Sequence, residues 1–397
     1  MANPLGIGEA SAPLKRAPSI SAVVRGALRA RAELHAQLGG WFQEQQRDLP
    51  WRRTRDPYAI WISEAMLQQT RVETVGPFYA RFLARLPDVH ALARAEESEV
   101  LALWSGLGYY ARARALRAAA RAIVARHAGV LPTTRAEWLA LPGVGPYTAG
   151  AVLSIAFSAS EPLVDGNVQR VFARWFALED AQGSRALVQD CWELARVLVP
   201  EAGGTLDPGA WNQAVMELGA RVCSPRAPDC ERCPVRARCR ARAAGRAQEL
   251  PRARARRAQL AVELEIFVVQ DERRVLLARR PETGRMAGLL EFPTRERGAN
   301  GGARLWPEEL PALVPAGRAP LGELTHTITH HRIRASVHAA RLSGRRLPEG
   351  ACWVERAGLA KLALTGLARK VLALISARDR AGTAAGSSGA PAVGAPA

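Results

Sequence analysis

The sequence predicts two domains, an all-α domain followed by a smaller α+β domain. From about residue 31 to 222, apolar residues recur at the three- and four-residue spacing of helices, and short loops with Pro or Gly separate the segments. Beyond residue 260, apolar and polar residues alternate, which is typical of strands. Helical spacing occurs at Val72, Val75, Tyr79 and Phe82, and alternation at Val262, Leu264, Ile266, Val268, Ile333, Ala335 and Val337. The 397 residues suffice for two domains that each bury a core.

The predicted boundaries follow changes in composition. Residues 1–30 are rich in Ala, Ser and Arg and poor in acidic residues, so we expect a flexible basic arm, with an organellar targeting segment as the alternative. The helical domain is expected over 31–240 and the α+β domain over 260–378. The Arg/Ala-rich stretch 241–259 has no apolar face and suits a linker. The Gly/Ala/Ser/Pro tail 379–397 is expected to be disordered.

The chain carries a large excess of positive charge. Its 55 Lys and Arg residues exceed its 37 Asp and Glu residues by 18, which favours a polyanionic partner such as nucleic acid. Codon bias would explain why all cations except Lys15, Lys361 and Lys370 are arginines, but not the surplus itself. No apolar run reaches the roughly 18 residues that span a bilayer, so no membrane association is expected.

A glycine-bearing turn stands between two helical stretches at residues 141–150, which read LPGVGPYTAG. Gly143 and Gly145 allow a tight turn that opens the next helix with its amides exposed, a natural seat for a phosphate. A purely structural turn is the alternative. The apolar helix that follows favours a phosphate-binding helix-hairpin-helix near 138–155.

Two carboxylates stand in positions that suit either structure or chemistry. Asp165 precedes Gly166-Asn167 and an amphipathic helix, so it is a helix N-cap or a group that faces the sugar of a bound nucleotide. Glu64 lies in an apolar helix, where an unpaired charge is costly. A capping element or a solvated face would explain Glu64 equally well, and a catalytic acid is the third explanation.

Six cysteines include four crowded into seventeen residues, which indicates a metal site in a reducing compartment rather than a disulfide scaffold. These four are Cys223, Cys230, Cys233 and Cys239. Four thiolates suit either zinc or a [4Fe–4S] cluster. Cys191 and Cys352 stand apart and are expected to be ordinary buried or free thiols. Arginines that crowd the same loop, Arg226 among them, are interpreted as phosphate contacts, with a solvated face as the alternative.

In their order and spacing these pieces resemble the adenine DNA glycosylases of the MutY family, within the endonuclease III superfamily. The match runs from about Trp41 to Cys239 and includes LPWR at 49–52, SEAMLQQT at 63–70 and GLGYY at 106–110. The resemblance implies a helix-hairpin-helix glycosylase domain whose four clustered cysteines hold one [4Fe–4S] cluster. It implies base excision repair of double-stranded DNA, in which adenine opposite 8-oxoguanine or guanine is flipped out and its N-glycosidic bond is hydrolysed.

The resemblance also assigns roles to individual residues. Glu64 is the expected general acid and Asp165 the carboxylate that stabilises the positive sugar, while Asn167 helps to hold the water and Tyr147 supports the site. The chemistry agrees, since adenine leaves poorly until a ring nitrogen is protonated and its departure leaves an oxocarbenium-like sugar. Although about a hundred residues separate Glu64 from Asp165, the two are expected to meet across one extruded nucleotide.

Recognition of the mispair needs further residues. Gln69 and Tyr109 match side chains that push into the base stack. Packing is the alternative, and since Tyr110 follows Tyr109, one of the two tyrosines should face inward. Arg52 and Gln213 match positions that line the adenine pocket.

The C-terminal domain resembles the Nudix-like, lesion-reading domain of the same enzymes. Residues 284–293, GRMAGLLEFP, carry this likeness, and no paired glutamates are present to bind magnesium, so nucleotide hydrolysis is not expected. Thr329 and His330 correspond to the hydroxyl and imidazole that lie over 8-oxoguanine in relatives, whereas Ile328 replaces an aromatic residue. A metal site built from the nearby histidines is the disfavoured alternative.

Bifunctional relatives use a lysine of the hairpin to form a Schiff base and cut the strand. Here Pro146-Tyr147 occupies that region, and no lysine exists between Lys15 and Lys361, so we expect a monofunctional enzyme without efficient lyase activity. The alternatives are a thymine or uracil mismatch glycosylase of the same superfamily and a non-catalytic DNA-binding adaptor. A monomer bound to the chromosome in the cytoplasm, in the manner of a bacterial nucleoid protein, is expected, with organellar or nuclear targeting left open.

Overall fold

The fold was analysed in a computed structural model that describes residues 19–254, 258–281, 286–297, 303–306, 313–317, 319–328, 330–342, 347 and 350–386. The chain divides into two compact units, Met1–Asp48 with Pro146–Arg254, and Leu49–Gly145 with Ala255–Ala397. The helices are α1 (Ile20–Gln45), α2 (Pro57–Leu67), α3 (Val72–Arg85), α4 (Val89–Arg94), α5 (Glu97–Trp104), α6 (Ala111–His127), α7 (Arg135–Leu139), α8 (Pro146–Phe157), α9 (Gly166–Phe176), α10 (Arg185–Leu198), α11 (Pro208–Arg221), α12 (Arg240–Ala243) and α13 (Gly366–Gly386). The strands are β1 (Leu260–Val268), β2 (Arg274–Arg279), β3 (Leu290–Glu291), β4 (Thr294–Arg297), β5 (Ala303–Trp306), β6 (Leu313–Pro315), β7 (Gly322–Ile328), β8 (His331–Leu342) and β9 (Ala351–Glu355).

The first unit is helical, and α1 packs in it against α10 and α11. The His35 ring meets the Trp211 ring edge-on at 4.8 Å between centroids, and its Nε2 lies 2.7 Å from the Leu198 carbonyl. At the end of α1, Arg47 forms an ion pair with the buried Glu217, with 2.7 Å between Nη2 and Oε2. Because removing one partner of a buried pair is costly, this pair fixes α1 to α11.

The N-terminal and linker boundaries differ from those expected. Helix α1 begins at Ile20, capped by the Ser19 side chain, because Val23 and Ala27 continue the buried face of the helix into the segment expected as an arm. The segment expected as a linker packs on the first unit up to residue 254: Leu250 is buried and Arg246 pairs with Glu179 at 2.5 Å.

At the other end of the chain, α13 continues to Gly386, beyond the expected boundary at 378. An ion pair between Arg356 and Asp379, at 3.1 Å, holds this extension. The ends of the predicted arm and tail, residues 1–18 and 387–397, lie outside the described residues.

The helical half of the second unit, α2 to α7, is built around large aromatic side chains. Trp61 and Trp138 pack edge to face at 5.6 Å, and Phe82 and Trp104 do so at 6.1 Å. Helix α2 starts with Pro57 after an Asp56 cap, and nearly every residue of α2 is buried. A helix that is apolar all round belongs in a core, so α2 is the centre of this half.

The second half of this unit is a pair of β-sheets with a helix. Within the described residues, one sheet has the order β5-β4-β1-β8-β6, with β7 also on β8, and the other has the order β3-β2-β9. Strands β1 and β8 are parallel and the other pairs are antiparallel. Side chains of both sheets meet α13 in one core, which includes Ile266, Val275, Leu277, Val337, Leu367 and Val371.

Three side chains of the helical half bind backbone or side chains of the second half. The Tyr110 hydroxyl donates to the Leu364 carbonyl at 3.2 Å, and Arg369 Nη2 donates to Ser105 Oγ at 2.6 Å. Arg114 Nη2 donates to the Ala287 carbonyl at 2.5 Å. The segment around the two tyrosines is therefore held from the side of the α+β half. Among the described residues, no helix is long and apolar enough to cross a membrane.

Candidate active site

Glu64 lies on the buried helix α2, where only 5% of the residue is exposed. Its neighbours Trp61, Ile62 and Ala65 are all buried, and the Ser63 hydroxyl donates to the Ile60 carbonyl. The solvated-face explanation of Glu64 is therefore wrong. Since Asp56 caps α2, the capping explanation is wrong as well, and a carboxyl group within a largely apolar interior remains.

Asp165 is the N-cap of α9, so the capping interpretation is confirmed. The Val168 amide donates to Oδ1 at 2.7 Å, and the Asn167 side-chain amide donates to Oδ2 at 2.8 Å. Burial raises the pKa of Asp165, and these two hydrogen bonds, together with the positive charge of Arg170, oppose that rise. The cap thus orients the carboxyl group, and its hydrogen bonds partly offset the effect of burial on the pKa.

Arg170 connects the start of α9 to the first of the clustered cysteines. Its Nη2 donates to Asn167 Oδ1 at 2.8 Å and to the Gly219 carbonyl at 2.6 Å, and its Nε donates to the Cys223 carbonyl at 2.8 Å. A Cβ on Gly219 would lie 2.6 Å from Asn167 Cβ, so only glycine lets α11 approach so closely. The chain of contacts runs from Asp165 through Asn167 and Arg170 to the cysteine loop.

The four clustered cysteines line one cavity, together with Arg174 and Trp175 of α9. Among the described residues, no three His, Cys, Asp or Glu side chains lie close enough to hold a single metal ion. The indole N–H of Trp175 is buried without an acceptor in the part of the chain that the structure describes. The cavity is therefore lined by four cysteines and by one buried indole N–H donor.

Arg174 closes this cavity from inside the fold, with 1% of the residue exposed. Its guanidinium donates to the Leu250, Ser224 and Pro225 carbonyls, at 2.8, 2.7 and 3.2 Å, and to Cys223 Sγ at 3.2 Å. A buried arginine that donates to three carbonyls and one sulfur fixes both the loop and the segment that follows it.

The glycine turn between α7 and α8 has the strained geometry that glycine permits. Gly143 has φ +70°, and a Cβ there would lie 2.3 Å from Ala115 Cβ, whereas a Cβ on Gly145 would meet nothing within 4 Å. Helix α8 starts at Pro146, and the Tyr147 hydroxyl lies 3.5 Å from Met216 Sδ. The turn is exposed and open on the side of Gly145, which suits an approaching phosphate.

Gln69 and Tyr109 are both exposed and both have left-handed backbones, with φ of +58° and +50°. Tyr109 is 47% exposed whereas Tyr110 is 6% exposed, so the expectation that one of the two tyrosines faces inward is confirmed. Non-glycine residues rarely adopt this conformation, and such strain concentrates at functional sites.

The GLGYY segment and the α+β half line one groove of about 680 Å³. Tyr109 contributes to it from one side, and Met286, Thr327 and Ile328 contribute from the other. Ile328, the last residue of β7, pairs with His331, the first residue of β8, and His330 directly precedes β8. Thr329 lies outside the described residues.

Other predicted residues occupy less distinctive positions. The ring of His330 lies 4.2 Å from that of His331. Arg52 ends a short 3-10 helix and is half-buried, as is Gln213 on α11, while Arg226 is exposed in the cysteine loop. Their roles in binding stay predictions. Residues 284–285 of the predicted Nudix-like motif lie outside the described part of the chain.

Sequence reasoning missed three arginines that build the site. Arg170 and Arg174 are described above, and the third is Arg112, whose guanidinium donates to the carbonyls of Ala65 and Met66. In a chain whose cations are nearly all arginine, nothing in their local sequence separates them from solvated ones. The one available signal is that Arg174 lies one turn after Val171 in α9, among buried residues, where a charged residue is unexpected.

Comparisons with known proteins bear on both halves of the sequence. Residues 62–196 match the model of the HhH-GPD superfamily base excision DNA repair proteins, and residues 265–374 match the NUDIX domain. The chain is 34% identical to the human protein named adenine DNA glycosylase, over 84% of this chain and 72% of that protein. The chain belongs to the adenine DNA glycosylase family. The rat member is 36% identical over 88% of this chain and 79% of its own length.

Membership of the adenine DNA glycosylase family confirms the predicted order of a helix-hairpin-helix glycosylase domain and a Nudix-like domain. It also confirms the predicted enzyme class, a DNA N-glycosylase of base excision repair. A solved thermostable thymine-DNA glycosylase is similar over 53% of this chain and 96% of its own, at 32% identity and a TM-score of 0.48.

Proposed function

We propose that this adenine DNA glycosylase family member removes adenine paired with 8-oxoguanine or guanine from double-stranded DNA by hydrolysis alone. The observation that carries the proposal is the placement of two buried carboxyl groups. Glu64 is buried on the apolar helix α2, and Asp165 caps α9, where the Val168 amide and the Asn167 side-chain amide donate to its two oxygens. When two carboxyl groups of an active site lie in different environments, one can act as a proton donor while the other acts as an anion.

In the proposed reaction, Glu64 donates a proton to a ring nitrogen of the extruded adenine. The bond between that base and the sugar then breaks, with its electrons passing to the base. Asp165 stabilises the positive charge left on the sugar. Glu64 next takes a proton from a water molecule that adds to the sugar, and neutral adenine and an abasic site are released. Asn167 holds the Asp165 carboxylate and, we propose, that water; Tyr147 supports the same region.

We propose that Cys223, Cys230, Cys233 and Cys239 hold one [4Fe–4S] cluster. The four cysteines line one cavity, and the resemblance of their loop to that of the endonuclease III superfamily favours a [4Fe–4S] cluster over zinc. The Trp175 indole and the Arg174 guanidinium supply donors to sulfur there. Such a cluster would cross-link the loop, and through Arg170 the loop positions Asn167 and Asp165.

Recognition of the mispair is proposed to use the exposed tips and the groove beside them. Gln69 and Tyr109 are proposed to enter the base stack, which keeps adenine out of the duplex. We assign the reading of 8-oxoguanine to Thr329 and His330, which follow Ile328 in the sequence, and Ile328 lines one groove with Tyr109.

Contacts with the rest of the DNA are proposed to come from both units. Phosphates are proposed to bind the turn at Gly143 and Gly145 and the exposed Arg226, and Arg52 and Gln213 are proposed to line the adenine pocket. The surplus of 18 positive charges supports an electrostatic contribution that weakens with salt.

The test is cleavage of a duplex with a single adenine opposite 8-oxoguanine, followed by alkali and gel electrophoresis. We expect alkali-dependent cleavage at that adenine. Glu64→Gln should lower the single-turnover rate at least 1000-fold and change the dissociation constant by less than fivefold, while the exposed Glu73→Gln should leave both unchanged.

Other outcomes of this assay identify the alternatives. Cleavage at thymine or uracil opposite guanine, without cleavage at adenine, would indicate a mismatch glycosylase of another specificity. Tight binding without any cleavage would indicate a DNA-binding adaptor.

The absence of a strand-cutting step is tested separately. Because no lysine lies between Lys15 and Lys361, no ε-amine is available there to form an imine with the abasic sugar. We expect no enzyme–DNA adduct above a few per cent after borohydride reduction during turnover. An adduct in high yield contradicts the proposed monofunctional reaction.

A further inference from the structure

A single guanidinium, that of Arg112 near the start of α6, binds both of the loops that carry the exposed tips. Its Nη1 donates to the carbonyls of Ala65 and Met66, at 2.9 and 3.0 Å, and to that of Gln68. Its Nη2 donates to Thr70 Oγ1 at 3.2 Å and to the Gly108 carbonyl at 3.1 Å. The residues on either side of Gln69 and the residue before Tyr109 thus share one side chain.

This arrangement bears on the strained backbones of the two tips. A left-handed backbone is unfavourable for a non-glycine residue, and such a conformation persists only where its surroundings hold it. Around Gln69, the holding contacts are those from Arg112 to Gln68 and Thr70. Around Tyr109, the Gly108 carbonyl accepts from Arg112 and from the Trp104 indole N–H, the latter at 3.1 Å.

The same guanidinium is also connected to the proton donor and to the lesion-reading half. Ala65 and Met66 directly follow Glu64 at the end of α2, where carbonyl groups have no partner within the helix. On the other side, Tyr110 and Arg114 bind the α+β half through Leu364 and Ala287. Burial lowers the pKa of Arg112 to about 10, so its guanidinium stays charged at neutral pH.

We propose that Arg112 is a positioning residue that holds Gln69 and Tyr109 together as one wedge, so that adenine is extruded only when both tips are in place. This inference rests on the proposed function, because it requires both tips to enter the base stack. Arg112 has no direct part in breaking the bond to adenine. Its contribution is to the equilibrium between the stacked and extruded base.

Lysine cannot replace arginine in this role. The guanidinium carries five N–H donors in a fixed plane, and the contacts of Arg112 reach acceptors from two separate chain segments. An ammonium group has three donors around one point, so it would bind one loop and release the other. Arg112→Lys therefore keeps the charge and removes the connection.

The experiment uses 2-aminopurine in place of the target adenine, opposite 8-oxoguanine, because this base brightens when it leaves the stack. All proteins carry Glu64→Gln so that no cleavage interferes. A second duplex has an abasic-site analogue at the same position, where nothing needs to be extruded. We expect Arg112→Gln and Arg112→Lys to lower the fluorescence rise at saturation at least fivefold and to change affinity for the abasic duplex less than threefold.

Arg117→Gln is the matched control. Arg117 lies on the same helix, and its Nε donates to the Ala95 carbonyl at 2.7 Å, away from both tips. We expect its fluorescence rise to equal that of the parent. An unchanged rise for the Arg112 variants overturns the inference, as does an equal fall for both duplexes, which would mark a general folding role. If Arg112→Gln does not fold, Arg112→Lys decides. A parent protein without any rise, and a native enzyme without adenine cleavage, would instead refute the proposed function.

Discussion

Replacing Arg174 with methionine tests whether the cysteine loop depends on one buried guanidinium. Methionine keeps much of the length and apolar volume of the side chain but removes all its donors. The carbonyls of Leu250, Ser224 and Pro225 then lose their charged donor. The bond to Leu250 is buried, and the other two are partly buried. The change therefore acts on both sides of the loop at once.

The magnitude follows from these contacts. A hydrogen bond from a charged group contributes about 1.5–3 kcal/mol, and a carbonyl left buried without a donor costs a similar amount. Partial relaxation of exposed parts of the loop reduces the sum, so we expect the free energy of unfolding to fall by about 4–6 kcal/mol. Since domains are stable by about 5–15 kcal/mol, this loss is a large fraction of the total.

Urea unfolding followed by circular dichroism measures the loss, and iron and sulfide analysis of the purified protein measures the proposed cluster. Arg232→Gln is the control, because that arginine of the same loop is exposed and its guanidinium lies 3.9 Å from the carboxylate of the nearby Asp229. We expect the control to lie within about 0.5 kcal/mol of the parent. A loss below 1 kcal/mol for Arg174→Met, with full iron content, would refute the reasoning.

Two further predictions concern Asp165 and the glycine turn. Asn167→Ala removes a hydrogen bond that lowers the pKa of Asp165, so this pKa rises further. Because the proposed reaction requires an ionised Asp165, the acidic limb of the single-turnover pH profile should move to higher pH. An unmoved limb would show that the ionisation of Asp165 does not control the rate. Gly143→Ala places a Cβ 2.3 Å from Ala115 Cβ at φ +70°, and should lower the free energy of unfolding by at least about 1 kcal/mol in thermal unfolding. Gly145→Ala, where a Cβ meets open space, should stay within about 0.5 kcal/mol of the parent. Equal effects of the two substitutions would contradict the assigned geometry.

The sequence was sufficient to predict the helices and strands in which apolar residues recur at a regular spacing. The helical spacing at Val72, Val75 and Tyr79 lies in α3, and the alternation at Val262 and Leu264 lies in β1, because burial on one face dictates both periods. The sequence also predicted that one of the two adjacent tyrosines of GLGYY is buried and the other exposed. Patterns of this kind depend only on residues that are close together in the chain, so they can be recognised without knowing the tertiary structure.

What escaped prediction depends on partners distant in the chain. Arg112 and Arg170 look like solvated arginines until Ala65 and Cys223 are brought beside them. The linker expected at 241–259 has no apolar face of its own, yet it is held by Arg174, 76 residues earlier. Hydrogen bonds to backbone carbonyls leave no trace in the composition of either segment.

Helix α1 has a consequence for how the protein is made. It lies in the same unit as α10 and α11, which are synthesised more than 130 residues later. While the ribosome translates the intervening stretch, the apolar face at Val23, Leu34 and Phe42 has no final partner. The apolar surface of α1 therefore stays exposed until α10 and α11 emerge from the ribosome. We expect chaperones that bind exposed apolar segments to bind this helix during translation.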